Sequence, residues 1–144
     1  MAGWERTRLG MPAVGATASI SKQLGQHEVE LFSEMTGDRN PLHVDEAAAK
    51  ASRFGGLITQ GGVTSGLLNA VVAEKLPGPG TVFLSVSWQF RRPTYLGETM
   101  TATVTVREVR ADKPICTLDT TVVNELGEVC IEGEAVTYTA DLTA

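Results

Sequence analysis

Long apolar runs are missing from this chain. No segment approaches the roughly 20 apolar residues that a bilayer-spanning helix needs, so a membrane is not an expected partner. An excess of positive charge is missing too. Twelve Lys and Arg stand against 17 Asp and Glu, a net charge of -5, which argues against a broad basic surface for nucleic acid. A local basic cluster for an anionic ligand remains compatible with that balance. Cysteine is scarce: Cys116 and Cys130 form no CxxC pair and no metal-ligand spacing, and they read as reduced thiols packed in the interior. Histidine is scarcer in its consequences. The chain has only His27 and His43, and His27 stands at a predicted helix start as a surface or cap residue. Imidazole chemistry is therefore expected at His43. The opening MAGWERTRLGMPAVG carries charge with no continuous apolar segment behind it, so it is not expected to be a signal peptide, and the cytoplasm is the default compartment. No repeat or linker divides the sequence. One domain over 1–144 is expected, with 1–13 as an N-terminal arm of uncertain order.

What is present around His43 is more specific. The stretch GDRNPLH, Gly37 to His43, places a carboxylate, Asp38, five positions before the imidazole. Pro41 lacks an N–H and biases Asn40 away from helical dihedrals. Gly37, Asp38 and Asn40 are turn formers. The stretch is expected to be a non-helical loop that holds an acid/base pair.

The flanking patterns place that loop. A short strand is expected over Val14 to Ser21. From Gln26 the period becomes helical, with Val29, Phe32 and Met35 on one face, Leu31 beside them, and Gly37 ending the helix. Asp45 is the expected N-cap of a short helix from Glu46 to about Ser52. A second main helix from about Gly62 to Leu76 is apolar nearly all round and so reads as buried, and Pro77 to Gly80 stops it. Four alternating runs follow. Val82, Leu84, Val86, Trp88 and Phe90 form one face of the first. Met100, Ala102, Val104 and Val106 follow, then Cys116, Leu118, Thr120 and Val122, then Val129, Ile131, Gly133 and Ala135. The threonines from Thr99 to Thr105 read as a solvated sheet face. Turn-like segments between the runs predict consecutive, mostly antiparallel strands. A curled antiparallel sheet around a buried helix fits this order; that is the α+β hotdog fold.

FSEMTGDRNPLH, followed by Asp45 and a run of alanines, resembles the signature of the MaoC-like (R)-specific enoyl-CoA hydratases. Asp38, Asn40, Pro41, Leu42 and His43 stand at the distinctive positions. FGGLITQGGVTSGL resembles that family's entry into the central helix, and the segment from Leu76 to Val106 resembles its next helix end and two strands, including the R-P-T-Y-L-G-E turn. The resemblance spans about Val14 to Tyr138. It implies that Asp38 and His43 are the catalytic pair, that Asn40 and Pro41 shape the loop, and that the Gly61 N–H polarises the thioester carbonyl. Two positions depart from the family pattern. Gln60 stands where a histidine is frequent, keeping hydrogen-bonding capacity without titrating. Gly62 stands where a bulky residue is frequent, which predicts a wider pocket. Both are expected to affect substrate range.

Hydration of a trans-2-enoyl thioester requires water activated for attack at C3, a proton for C2, and stabilisation of charge on the thioester oxygen. Asp38 and His43 can hold one water and share the proton transfers; the sequence leaves open which is the formal base. By resemblance the addition is syn and gives the (R)-3-hydroxyacyl product. A helix N-terminus at Gly61 offers free N–H groups and a favourable dipole. The faces bearing Leu84, Trp88 and Phe90 are expected to line an acyl tunnel with Gln60 and Gly62 beside it. Arg91 and Arg92, with Arg53 and Lys113 as further candidates, are expected to meet the CoA phosphates. The resemblance implies no cofactor other than the CoA thioester substrate, no metal, and a homodimer or an oligomer of dimers with the site at the subunit junction. It places the reaction in fatty acid, polyhydroxyalkanoate or related acyl metabolism. The alternatives are a 3-hydroxyacyl-carrier-protein dehydratase using the same site in reverse, a hotdog thioesterase, and a non-catalytic acyl-thioester-binding hotdog protein.

Overall fold

The computed structural model of the protein describes residues 3–142. The element order is β1 (Thr17–Gln23), α1 (Gln26–Thr36), α2 (Pro41–Val44), α3 (Glu46–Ala51), α4 (Gly61–Glu74), β2 (Thr81–Phe90), β3 (Thr99–Val109), β4 (Ile115–Val123) and β5 (Val129–Thr139). The five strands make one antiparallel sheet in the order β1-β3-β4-β5-β2. It curls around α4, the α+β hotdog arrangement that the apolar patterns predict.

The buried helix follows from its composition. Leu67, Leu68, Val71 and Val72 of α4 are buried against Met100, Ala102, Val104 and Val106 of β3, Leu118 and Val122 of β4, and Ile131 of β5. Burying one large aliphatic side chain contributes roughly 1.5–3 kcal/mol, so this sandwich is the main source of stability. Cys116 and Cys130 are free thiols inside it, and burial pushes both thiols up from their ordinary titration range. The opposite face of β3 is polar, as its threonines predict. Ser19 and Ser21 of β1 pair there through their hydroxyls with Thr103 and Thr101 at 2.7 and 2.6 Å.

Four expectations change. The first strand begins at Thr17 rather than Val14. In α1 the buried line is Val29 and Ser33, while Leu31 and Met35 face outward, because the helix packs with its Val29–Ser33 edge over the start of α4. The N-terminal segment is anchored: Trp4 is buried in the core, and its indole N–H donates to the Arg110 carbonyl at 2.7 Å. Residues 1 and 2 of the expected arm lie outside the described residues.

The fourth concerns β2. Its pairing with β5 skips Leu84: Phe83 opposes Thr137 and Ser85 opposes Val136. A bulge of this kind inverts the side-chain alternation, so Phe83 packs on the core before it and Trp88 after it. The two rings meet edge to face at 5.5 Å. The single inward face from Val82 to Phe90 therefore does not exist. As β2 is an edge strand, Val82, Leu84, Val86 and Phe90 are 54%, 56%, 46% and 58% exposed.

Candidate active site

The site is built where α1 ends, α2 begins and α4 begins. Gly37 caps α1 in the left-handed conformation (φ 85°), donating its N–H to the Ser33 carbonyl at 2.8 Å. The chain can then turn sharply into Asp38. One Asp38 carboxylate oxygen accepts the Asn40 N–H at 3.1 Å. Asn40 in turn caps α2, its Oδ1 accepting the Leu42 N–H at 3.1 Å. The expectation of a wholly non-helical segment is thus corrected at its second half. Pro41 occupies the first helical position, where a missing N–H is no loss and φ is already suitable, so His43 rides on one turn of helix.

His43 is buried, and its Nδ1 lies 2.7 Å from the Ile58 carbonyl. The Ile58 N–H donates back to the Leu42 carbonyl at 3.2 Å, so one residue of the following loop grips both α2 and its imidazole. A carbonyl only accepts. Nδ1 must therefore carry the proton, and the neutral ring has its lone pair on Nε2.

His43 borders a cavity of about 460 Å³ together with Gly61, Thr59, Thr64, Thr94, Phe90 and Ile131, a volume within the roughly 300–1,000 Å³ usual for ligand sites. Gly61 is the first residue of α4, so its N–H has no acceptor one turn back. A Cβ there would lie 2.9 Å from the Phe90 ring, so glycine lets the ring pack over this N-terminus without shifting. The three threonines form a buried hydroxyl chain, Thr59 to Thr64 at 3.1 Å and Thr64 to Thr94 at 3.0 Å.

Arg53, Arg91 and Arg92 also border the cavity. Arg91 pairs with Glu132 at 2.7 Å, and Arg92 with Glu98 at 3.1 Å and Glu128 at 3.5 Å. Burial pulls the Arg92 guanidinium down, but the hydrogen bond and charge of Glu98 outweigh it and hold the group above its ordinary range. Arg53 is exposed and has no ion pair among the described residues.

The structure thus brings His43, Gly61, Arg53, Arg91 and Arg92 to one cavity. Asp38, at the other end of the Asn40–Pro41 turn, is half-buried, is not among the residues that border this cavity and makes no direct hydrogen bond to His43. Lys113 borders a separate cavity with Arg6 and Tyr138. Trp88 packs into the core, away from the cavity, with its indole N–H buried and without a partner among the described residues. Gln60 is buried and bonded to α1 rather than facing the cavity. Gly62 does not widen the pocket: a Cβ there would lie 2.4 Å from the Phe32 ring, so the vacant space is filled by α1. The Ile58 carbonyl and the threonine chain escape sequence reasoning. A backbone oxygen carries no side-chain signature, and lone threonines read as ordinary strand and helix residues.

A family model described as "MaoC like domain" matches residues 9–126. The (R)-specific enoyl-CoA hydratase of Aeromonas caviae is 38% identical over 123 residues, covering 85% of this chain and 92% of that protein. The 3-hydroxybutyryl-CoA dehydratase of Methylorubrum extorquens is 38% identical over 124 residues, covering 85% and 78%. The solved structure of an (R)-hydratase from A. caviae involved in PHA biosynthesis superposes with a TM-score of 0.86 at 36% identity, covering 90% of this chain and 98% of that one.

Proposed function

Since the chain belongs to the MaoC-like domain family, we propose that this enzyme catalyses the reversible syn hydration of trans-2-enoyl-CoA to (R)-3-hydroxyacyl-CoA. The observation that carries the reading is the His43–Ile58 hydrogen bond, which leaves a basic Nε2 on an imidazole bordering the same cavity as the free N–H of Gly61. In this mechanism one water lies between Nε2 and the Asp38 carboxylate. As the water oxygen bonds to C3, the C2–C3 π bond breaks and its electrons move onto the thioester oxygen. The Gly61 N–H and the α4 dipole stabilise that oxygen. The proton lost by water returns to C2 from the same face through the Asp38–His43 pair, so atoms and charge balance with no redox step. The chemistry calls for no metal or cofactor. Arg53, the unpaired cation at the mouth, is the leading contact for CoA phosphate, with Arg91 and Arg92 behind it. A reaction on CoA thioesters, with two free buried thiols, suits the cytoplasm.

Purified protein should convert crotonyl-CoA, with loss of absorbance at the enoyl-thioester band and formation of the (R) product. No turnover of any enoyl-CoA from four to twelve carbons would sink the assignment. Faster turnover of the matching carrier-protein thioester would favour the dehydratase reading, and the substrate series would also place the enzyme among pathways. We further propose a homodimer formed through β2, the edge strand whose Val82, Leu84, Val86 and Phe90 are about half exposed. Leu84→Asp should convert the dimer to monomer in light-scattering measurements; an unchanged mass would place the interface elsewhere.

A further inference from the structure

Gln60 is 2% exposed and borders no part of the cavity. Its Nε2 donates to Ser33 Oγ at 2.9 Å and to the Val29 carbonyl at 3.3 Å, both on α1. Its Oε1 is buried with no hydrogen-bond partner among the described residues. Turning the amide over gives no relief, because the Val29 carbonyl only accepts and would then face Oε1. A buried carbonyl left unanswered costs stability comparable to what the amide's own hydrogen bonds contribute, so stability alone does not account for glutamine at this position.

What the amide joins does account for it. On one side, the Ser33 carbonyl accepts the Gly37 N–H at 2.8 Å, the cap from which the chain turns into Asp38. On the other side, Gln60 is the N-cap residue of α4 and directly precedes Gly61. The Phe32 ring against Gly62 completes the joint. These bonds tie the end of α1, which delivers Asp38, to the start of α4, which presents the Gly61 N–H.

We propose that Gln60 is a positioning residue for the hydration. Its amide fixes the Asp38–His43 turn relative to the Gly61 N–H, so that water and oxyanion donor meet the same substrate in register. The inference rests on the function proposed above, and Gln60 itself touches no substrate. A group that acts only through geometry changes the rate more than binding, and a misplacement of about 1 Å costs up to about 100-fold.

The test uses the full chain with Gln60→Leu and Gln60→His, and Gln60→Met if the leucine variant does not fold. The leucine variant should melt close to the wild-type temperature, because removal of the orphaned acceptor offsets the donor that Ser33 Oγ and the Val29 carbonyl lose. Its kcat on crotonyl-CoA should nevertheless fall about 10–100-fold, with KM within about threefold. The histidine variant keeps an N–H that can reach Ser33 and should recover most of kcat. A leucine variant within twofold of wild-type kcat overturns the proposal. So does a kcat that falls only together with the melting temperature, or a histidine variant as slow as the leucine one. Amide hydrogen exchange separates this from a failure of the functional reading. If the wild type hydrates no enoyl-CoA, faster exchange at both Asp38 and Gly61 in the leucine variant still supports the positioning role, and unchanged exchange refutes it.

Discussion

Replacing His43 by alanine should slow crotonyl-CoA hydration by about 10²–10⁴-fold, the span that a positioned acid or base contributes. The size of the effect follows from how the ring is held. Nδ1 is committed to the Ile58 carbonyl at 2.7 Å, so the ring is fixed in orientation and tautomer, and its Nε2 has no partner among the described residues. Alanine removes that base and leaves the Ile58 carbonyl without its imidazole partner. The backbone bonds from Ile58 to Leu42 and from Asn40 Oδ1 to the Leu42 N–H remain, so α2 should still form. Asp38→Asn should lower activity over the same range through a different loss. An asparagine oxygen can still accept the Asn40 N–H that Oδ1 takes at 3.1 Å, but it lacks the charge that orients the water in the proposed mechanism. Stopped-flow or steady-state absorbance at the enoyl-thioester band reads both variants. Turnover above a tenth of wild type in either one would remove that residue from the acid/base role.

Gly133→Ala should have the largest effect on folding of the glycine substitutions. Gly133 lies in β5 directly between Trp88 of β2 and Thr120 of β4, with φ 154°. A Cβ there would stand 1.9 Å from the Ser87 carbonyl oxygen and 3.0 Å from the Trp88 Cα. Both are backbone atoms of the neighbouring strand, so no side-chain rotation relieves the clash and the β2–β5 ladder must open. A cost of about 3–5 kcal/mol is expected, at the upper end for single substitutions. At about 2–4 °C per kcal/mol for a chain of this size, the melting temperature should fall by about 10 °C. Gly66→Ala is the control. Nothing lies within 4 Å of its Cβ, and it sits inside α4, where alanine should stabilise by about 0.5–1 kcal/mol. Calorimetry on the pair measures both signs, and equal melting temperatures would refute the strand-clash argument. Activity should fall with stability in Gly133→Ala, because β2 also carries Phe90, which covers Gly61, and leads into Arg91 and Arg92.

Features that are local or periodic are legible in residue type alone. Alternation along β3 as far as Val106 and along β4 assigned their buried faces, because a paired strand keeps period two until a bulge interrupts it, as at Arg107. The nearly all-apolar composition of α4 marked it as central, since no polar stripe was available to face water. Gly37, Asn40, Pro41 and Asp45 announced a cap, an extended residue, a helix start and a second cap through backbone preferences that act within a few residues. The D-x-N-P-L-H spacing singled out His43, which the fold places at the edge of a cavity.

Features that depend on a partner from elsewhere in the chain emerge only in the fold. The bulge at Leu84 arises from pairing with β5 and overturns an alternation that looked regular over ten residues. Met35 faces outward and Ser33 inward because α4 and Gln60, not helix period alone, select the packed edge. Gly62 reads as open space in sequence and is filled by Phe32 in the fold. His43 acquires its tautomer from a carbonyl 15 residues away, and Gln60 reaches across 31 residues to Val29. Short-range stereochemistry is encoded in residue type, whereas an acceptor supplied by a distant backbone has no residue type to betray it.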